Sequence, residues 1–188
     1  MGHRDLVKIF SNLLDKFKIP YLLTGSLAVS YYGYPRATHD VDFVVEIKNI
    51  NLSNFWRFLK TLDKSYIFNK GEIKQAIANS SQFNLYHPGT GIKIDFWIIG
   101  KNEFEQNKFR RQKIILIDKQ KVNLVSAEDL LLTKLLWCKK IESERHLRDC
   151  AGIWQVQENK LDKKYLNLWV KKLGVVKLFE EIKTANYF

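Results

Sequence analysis

Apolar residues occupy every second position of residues 40–47, and three of the four positions between them are acidic; this pattern constrains the fold more than any other feature of the chain. Successive side chains of a β-strand point to opposite faces, so Asp40 and Asp42 share one face of a predicted strand. The apolar positions that share the other face are Val41, Phe43, Val45 and Ile47. Two carboxylates roughly 7 Å apart along a strand can converge on a hard cation such as Mg²⁺, which prefers oxygen ligands. A solvated strand edge would give the same local pattern.

A third acid lies in a second alternating segment, residues 91–99. Asp95 falls on the face opposite the apolar residues of that segment, which are Ile92, Ile94, Phe96 and Ile98. If the two strands are neighbours in a sheet, three carboxylates gather on one surface. A two-metal phosphoryl-transfer site requires such a cluster to bind both ions and to orient the attacking hydroxyl. The sequence predicts the face of Asp95 and leaves the adjacency of the strands open.

A Gly25-Ser26 pair follows a short apolar run, Tyr21-Leu22-Leu23, and opens a predicted helix. At such a junction, backbone N–H groups and a serine hydroxyl can hold phosphate oxygens, and glycine permits close approach. An ordinary tight turn with a helix N-cap would look the same. The position of the pair shortly before the two acids favours the phosphate-binding interpretation.

The apolar periodicity predicts an α/β (α+β) fold, with a mixed sheet flanked by helices and followed by a C-terminal helical bundle. Strands are predicted near residues 21–23, 41–47, 83–86, 92–99, 114–117 and 122–125, the last four as two hairpins. Helices are predicted near residues 6–17, 27–32 and 52–62, and throughout the chain from Ser126 onward. Ser126, with Asp129 three residues later, is typical of a helix N-terminus. The predicted division is an α/β core at residues 1–125 and a helical region at residues 126–188 packed on it.

The amino-acid composition limits the classes of partner that the protein can have. The 188 residues include 31 Lys and Arg against 20 Asp and Glu, a formal charge of +11 that favours polyanionic partners such as nucleotides or nucleic acid. Cys138 and Cys150 are too far apart in sequence for a metal knuckle. No apolar run approaches the length of a membrane-spanning helix. We therefore expect a soluble cytoplasmic protein with no membrane partner.

Two runs, residues 23–28 and 33–43, carry a family resemblance. They read Leu-Thr-Gly-Ser-Leu-Ala and Gly-Tyr-Pro-Arg-Ala-Thr-His-Asp-Val-Asp-Phe. They resemble the minimal nucleotidyltransferases of the DNA polymerase beta-like superfamily, and are most similar to the branch that includes the AbiEii/AbiGii toxin-like proteins. Residues 125–136 resemble the lysine-bearing helix of that family, and residues 145–149 its final Arg-x-x-Lys-Asp element. Many relatives carry a second acid three residues after the position of Asp149, where this chain has Gly152.

The resemblance implies a metal site and a catalytic role for the acids. Asp40 and Asp42 would bind the metals, and Asp95 would complete the set and activate the acceptor hydroxyl. Two Mg²⁺ ions are expected, or Mn²⁺ in their place. His39 lies beside the acids, but we leave it out of the metal set because oxygen ligands dominate a site of this kind.

The resemblance also implies nucleotide-binding residues. Gly25 and Ser26 would hold the phosphates of an NTP such as ATP, and Lys134 would counter the charge of the triphosphate. Lys134 has apolar neighbours three and four positions away, so either an anion at its ammonium or snorkelling from a core helix explains it. Arg36 would contact a phosphate or belong to a network that stabilises the loop. For Asp149, an ion pair with Lys134 or Arg145 is the predicted role.

The leading hypothesis is metal-dependent transfer of a nucleoside monophosphate from an NTP to a hydroxyl acceptor. The acceptor is open among a small molecule, a tRNA or other RNA, and a protein. The alternative is a non-catalytic nucleotide- or RNA-binding module, or a toxin-antitoxin component with a cognate antitoxin protein as partner.

Overall fold

The computed structural model describes residues 1–185 of the chain and divides them into two units. The first unit comprises Met1–Leu27 and Thr38–Val125. The second unit comprises Ala28–Ala37 together with the residues from Ser126 onward. The predicted division at residue 125 follows one of these boundaries, whereas the structure also assigns residues 28–37 to the second unit. Residues 186–188 of the predicted helical region lie outside the described residues.

The first unit contains a six-stranded mixed sheet and its helices. The strands are β1 (Tyr21–Thr24), β2 (Asp40–Val45), β3 (Gln82–His87), β4 (Ile92–Ile98), β5 (Lys113–Ile117) and β6 (Gln120–Leu124). The helices are α1 (His3–Lys16), α3 (Leu52–Thr61), α4 (Lys70–Asn79) and α5 (Glu103–Arg110), with α2 (Gly25–Tyr32) beginning in this unit. The strand order is β3-β4-β2-β1-β6-β5, in which β2 pairs with β4 and β1 with β6 in parallel. The predicted fold class and both predicted hairpins are confirmed.

Aromatic rings cover the apolar face of the central strands. Phe43 of β2 and Phe96 of β4 stack with ring centroids 5.7 Å apart, and Phe10 of α1 lies 5.9 Å from Phe96. Each of these side chains is fully buried, which contributes about 1.5–3 kcal/mol per side chain. Because side chains alternate along a strand, a slip of one residue would move the acids into this core and the rings out of it. The packing of the phenylalanines therefore holds Asp42 and Asp95 on the opposite face.

The hairpin of β5 and β6 turns without a glycine. Asp118 and Lys119 both adopt left-handed backbone angles, with φ of 48° and 69°, as a two-residue hairpin turn of the primed type requires. Arg4 and Lys8 of α1 form ion pairs with Asp118, the latter at 3.1 Å. These ion pairs connect the turn to the first helix of the chain.

Helices α4 and α5 are present in the structure but were not predicted. Each begins with an asparagine cap: Asn69 accepts hydrogen bonds from the N–H groups of Gly71 and Glu72, and Asn102 accepts one from Glu105. In both cases a glutamate stands three residues after the asparagine, which is a recognised signature of a helix N-terminus. That signal could have located both helices.

In the second unit, residues 126–184 form four helices within the described part of the chain, as the sequence predicted. They are α6 (Ala127–Ile141), α7 (Glu144–Gln157), α8 (Lys163–Leu173) and α9 (Val176–Thr184). Ser126 caps α6, since its hydroxyl accepts from the Asp129 N–H at 3.1 Å and donates to Asp129 Oδ2 at 2.7 Å. Among the described residues, no helix combines the length and apolar character needed to cross a bilayer.

Candidate active site

Three carboxylates lie on one face of two neighbouring parallel strands. In the pairing of β2 with β4, Asp42 stands opposite Asp95 and Asp40 stands opposite Lys93. Neighbouring strands of a sheet lie about 4.7–4.9 Å apart, so the two side chains of each pair are neighbours. The adjacency that the sequence left open is therefore present in the fold.

Lys93 lies among the acids and was missed by the sequence analysis. Its Nζ is 3.0 Å from Asp95 Oδ2 and 3.7 Å from Asp40 Oδ1. Burial lowers the pKa of Lys93, but the hydrogen bond to Asp95 and the charges of the carboxylates outweigh burial and leave the pKa raised. The alternation of β4 places residue 93 on the same face as residue 95, so the same pattern that located Asp95 could have located Lys93.

Asp95 is the most buried of the three acids, with 4% of the residue exposed. Burial raises the pKa of Asp95 above its ordinary value of 3.8, and the charge of Asp40 adds to the rise, whereas Lys93 opposes it. Within the described residues, the buried Oδ1 of Asp95 has no hydrogen-bond partner. An unpartnered buried carboxylate oxygen costs free energy unless a donor or a cation satisfies it.

Gly25 lies next to Asp42 because β1 pairs antiparallel with β2. Thr24, the last residue of β1, stands opposite Asp42, and Gly25 follows it with φ of +65°. A β-carbon built on Gly25 would fall 1.9 Å from Asp42 Oδ2. Two independent reasons therefore require glycine here: the left-handed backbone and the close approach of the carboxylate. On the other side of Asp42, the indole Nε1 of Trp97 donates to Oδ1 at 3.4 Å.

Ser26 lies in the first turn of α2, which begins at Gly25, and its side chain is buried. The first N–H groups of an α-helix have no partners within the helix and form a favourable site for phosphate oxygens. The helix N-terminus and the carboxylate of Asp42 are thus placed side by side by one strand pairing. This arrangement can hold an anion and a cation close together.

The three carboxylates offer the type of ligand atom that a divalent metal such as Mg²⁺ prefers. Mg²⁺ takes carboxylate oxygens and keeps several waters, and Asp40, Asp42 and Asp95 supply such oxygens, one of them unpartnered. As the side chains stand, no group of three or more His, Cys, Asp or Glu residues in the described part of the chain could hold a metal ion. Lys93 provides the positive charge between Asp40 and Asp95 in this arrangement.

The second unit contains a separate ionic cluster built on Asp149. Lys134 Nζ lies 2.8 Å from Asp149 Oδ2, and Arg36 donates to both carboxylate oxygens at 2.8 Å and 3.0 Å. Burial raises the pKa of Asp149, but the hydrogen bonds and charges of Arg36 and Lys134 outweigh burial and leave the pKa below its ordinary value of 3.8. The predicted pair of Asp149 with Lys134 is present, and the arginine that joins it is Arg36.

A cavity of about 400 Å³ lies beside this cluster within the second unit. Arg145, Arg148 and Tyr34 line it together with Arg36 and Asp149. A β-carbon on Gly33 would fall 2.9 Å from a backbone nitrogen of α7, so glycine allows the loop before Arg36 to lie against that helix. Burial, followed by the charge of Lys134, lowers the pKa of the neighbouring His146 to about 4, so this imidazole is neutral at pH 7.

The predicted site residues therefore form two groups. Gly25 and Ser26 lie with Asp40, Asp42 and Asp95 in the first unit. Arg36 and Lys134 lie in the second unit, where both are paired with Asp149. The predicted roles of these two cations in nucleotide binding stay predictions.

No family model and no curated protein matches the chain. Solved structures do match over most of its length. An antigenic nucleotidyltransferase-like protein from Paracoccidioides brasiliensis is 18% identical, with 95% of this chain and 92% of that chain covered and a TM-score of 0.55. The lincosamide antibiotic adenylyltransferase LnuA, solved with lincomycin bound, is 16% identical over 83% of this chain and 98% of its own, with a TM-score of 0.52.

A third similar structure is that of ANT(2")-Ia in complex with adenylyl-2"-tobramycin. It is 9% identical, with 93% of this chain and 98% of that chain covered and a TM-score of 0.55. Similarity at these identities shows the fold and leaves the predicted AbiEii/AbiGii branch untested. The chain has the fold of nucleotidyltransferase-like proteins.

Proposed function

We propose that the protein transfers a nucleoside monophosphate from an NTP to a hydroxyl group of an acceptor, with Mg²⁺ as cofactor. The observation that carries the proposal is the grouping of Asp40, Asp42 and Asp95 on the paired strands β2 and β4, with the N-terminus of α2 against Asp42. The nucleotidyltransferase-like fold supports it. Such a site places a cation-binding surface and a phosphate-binding helix end side by side.

Asp40, Asp42 and Asp95 would hold the metal, with Lys93 displaced from among them. When bound, Mg²⁺ supplies positive charge that polarises phosphoryl oxygens and neutralises charge that develops on them. The side chain of Lys93 is 39% exposed, so it has access to solvent and can move aside. Lys93 would then stabilise the carboxylates before the metal-nucleotide complex arrives.

The remaining steps belong to the side chains and backbone of the chain. The N–H groups of the first turn of α2 and the hydroxyl of Ser26 would bind the phosphates of the NTP and orient the α-phosphorus. Asp95 would accept the proton of the acceptor hydroxyl. The acceptor oxygen forms a bond to the α-phosphorus, the bond from that phosphorus to the bridging oxygen breaks, and pyrophosphate leaves.

An Asp42→Asn variant tests this function. We expect Mg²⁺-dependent release of pyrophosphate from NTPs to fall by about 100-fold or more, because an amide is a poor ligand in place of a carboxylate. The matched control is Asp63→Asn, since Asp63 accepts a hydrogen bond from the Ser65 N–H and an amide oxygen accepts it equally well. Each NTP is tested with small hydroxyl compounds, RNA and protein as acceptors. Full turnover by Asp42→Asn would exclude the proposed mechanism.

A second candidate is a nucleotide-binding module without catalysis, and the position of Lys93 favours it. The contacts of Lys93 with Asp95 and Asp40 offset part of the negative charge of the carboxylates without a metal. Calorimetry with each NTP, with and without Mg²⁺, separates the two functions. NTP binding that does not depend on Mg²⁺, together with no pyrophosphate release, would favour the module.

A further inference from the structure

Four cations line one open groove of the first unit, which has a volume of about 630 Å³. Lys16 and Lys18 come from the end of α1 and the turn after it, and Arg57 and Lys60 come from α3. Among residues 1–185, no acidic residue lines the groove. The groove is thus a concentrated patch of positive charge with no counterpart of opposite sign.

None of the four cations forms an ion pair with any residue in the described part of the chain. The opposite situation holds near the start of α1, where Arg4 and Lys8 are both paired with Asp118. Like charges in one concave surface repel each other and raise the local potential. A polyanion in the groove would relieve this repulsion, whereas a neutral partner would not.

The backbone at Lys18 adds a second observation. Lys18 has φ of +55°, and its N–H bonds to the Asp15 carbonyl while the Ile19 N–H bonds to the Leu14 carbonyl. This is the Schellman arrangement, in which the left-handed residue is usually glycine. A residue with a β-carbon is strained in this conformation. The chain carries a lysine here, and its side chain lines the groove.

The groove offers charge without a stacking surface. Of the described residues, Phe17 is the one aromatic residue that lines the groove, and it is only 9% exposed. The ammonium of Lys16 and the guanidinium of Arg57 lie 5.9 Å and 6.0 Å from the centre of its ring. A nucleic acid in the groove would therefore find no exposed ring on which its bases could stack. Its contacts would go to phosphates, which carry no sequence information.

We propose that this groove binds the phosphate backbone of RNA without regard to sequence. Asn54, which also lines the groove, offers an amide with two donors and an acceptor to the ribose 2′-hydroxyl. That hydroxyl is the group by which a protein distinguishes RNA from DNA. The proposal goes beyond nucleotidyl transfer and does not depend on it, because the binding can be measured without an NTP.

The test is equilibrium binding of the full chain to a labelled single-stranded RNA of about 20 nucleotides, measured at several salt concentrations. The groove variant replaces Lys16, Lys18, Arg57 and Lys60 by glutamine. The control variant replaces four exposed lysines of the second unit by glutamine: Lys160, Lys164, Lys171 and Lys177. Both variants lose the same number of positive charges. A difference in their affinity for RNA is therefore due to the groove and not to the net charge.

We expect the groove variant to bind RNA at least about tenfold more weakly and its salt slope to fall by about 3, since each neutralised phosphate contributes about 0.7 for a single strand. The control variant should retain most of the affinity and slope. Equal losses in the two variants would show attraction by net charge only and overturn the proposal.

A single substitution separates the loss of RNA binding from a loss of folding. Lys18→Gly removes one groove charge and relieves the left-handed strain, so we expect unchanged or higher stability to urea with weaker RNA binding. Unchanged RNA binding by this variant and by the groove variant would overturn the proposal.

Asn54→Ala should reduce the ratio of the affinity for RNA to the affinity for DNA of the same sequence. Equal affinity of the unmodified protein for RNA and DNA would overturn the assignment to RNA.

Discussion

A β-carbon added to Gly25 would lie 1.9 Å from Oδ2 of Asp42, so the first residue of α2 and the second acid of β2 can occupy their positions only if residue 25 is glycine. The contact links the helix N-terminus to the carboxylate cluster. It follows from the pairing of Thr24 with Asp42 in the register of β1 and β2.

Gly25→Ala should destabilise the protein and move the Asp42 carboxylate. The left-handed conformation at φ of +65° costs an alanine about 1–2 kcal/mol, and the overlap with Asp42 adds about 1–3 kcal/mol. Gly91→Ala is the matched control, because φ is +67° and no atom lies within 4 Å of the added β-carbon. Urea unfolding of both variants measures the difference. Equal losses would mean that the contact with Asp42 has no energetic effect.

Removal of the Lys93 charge should increase the affinity of the carboxylates for a divalent cation. In Lys93→Met, the metal no longer competes with an ammonium that is 3.0 Å from Asp95. The gain should be a few-fold and at most about tenfold, because a partly exposed ion pair contributes about 1 kcal/mol. Calorimetric titration with Mg²⁺ and Mn²⁺ measures it. Lys121→Met, at an exposed position of β6, is the control, and weaker metal binding by Lys93→Met would contradict the prediction.

The ionic cluster of the second unit should make stability depend on pH. The pKa of Asp149 is lower in the folded chain than its ordinary value of 3.8, so its contribution is full above pH 3.8 and is lost as the pH falls through the folded pKa. Asp149→Asn should cost about 3–5 kcal/mol at pH 7, since it leaves the buried ammonium of Lys134 and the partly buried guanidinium of Arg36 without their carboxylate partner.

The loss caused by Asp149→Asn should therefore shrink as the pH falls below 3.8. Urea unfolding of the variant and the unmodified protein at pH values on both sides of 3.8 measures this. Asp162→Asn is the control, because Asp162 caps α8 and asparagine caps a helix equally well. A loss that does not change with pH would contradict the assignment.

Two serines at helix N-termini should differ in their contribution to stability. Ser126 caps α6 and its hydroxyl is fully buried, so Ser126→Ala should cost about 1–2 kcal/mol. Ser143 precedes α7 without a side-chain cap bond, so Ser143→Ala should change stability by less than about 0.5 kcal/mol. Thermal or urea unfolding compares them, and similar losses in the two variants would contradict the role of the Ser126 cap.

Alternation along the chain was sufficient to predict both central strands and the face of each acid. The same alternation places Lys93 on the face of Asp95, because residues 93 and 95 are two positions apart on β4. The predicted site nevertheless included only the acids of this face. Helices α4 and α5 carry capping asparagines with a glutamate three residues later, but their apolar periodicity is weak. The capping residues therefore indicate where these two helices begin, which the apolar pattern does not.

The sequence by itself determined which face of its strand each of Asp40, Asp42 and Asp95 occupies, because the two-residue period of a strand is a local property. Only the tertiary structure decided that β2 lies parallel to β4, that Gly25 meets Asp42, and that one carboxylate, Asp149, holds both Arg36 and Lys134. These relationships join residues that are far apart along the chain. They depend on the packing free energy of the whole sheet or helical unit, which no local pattern records.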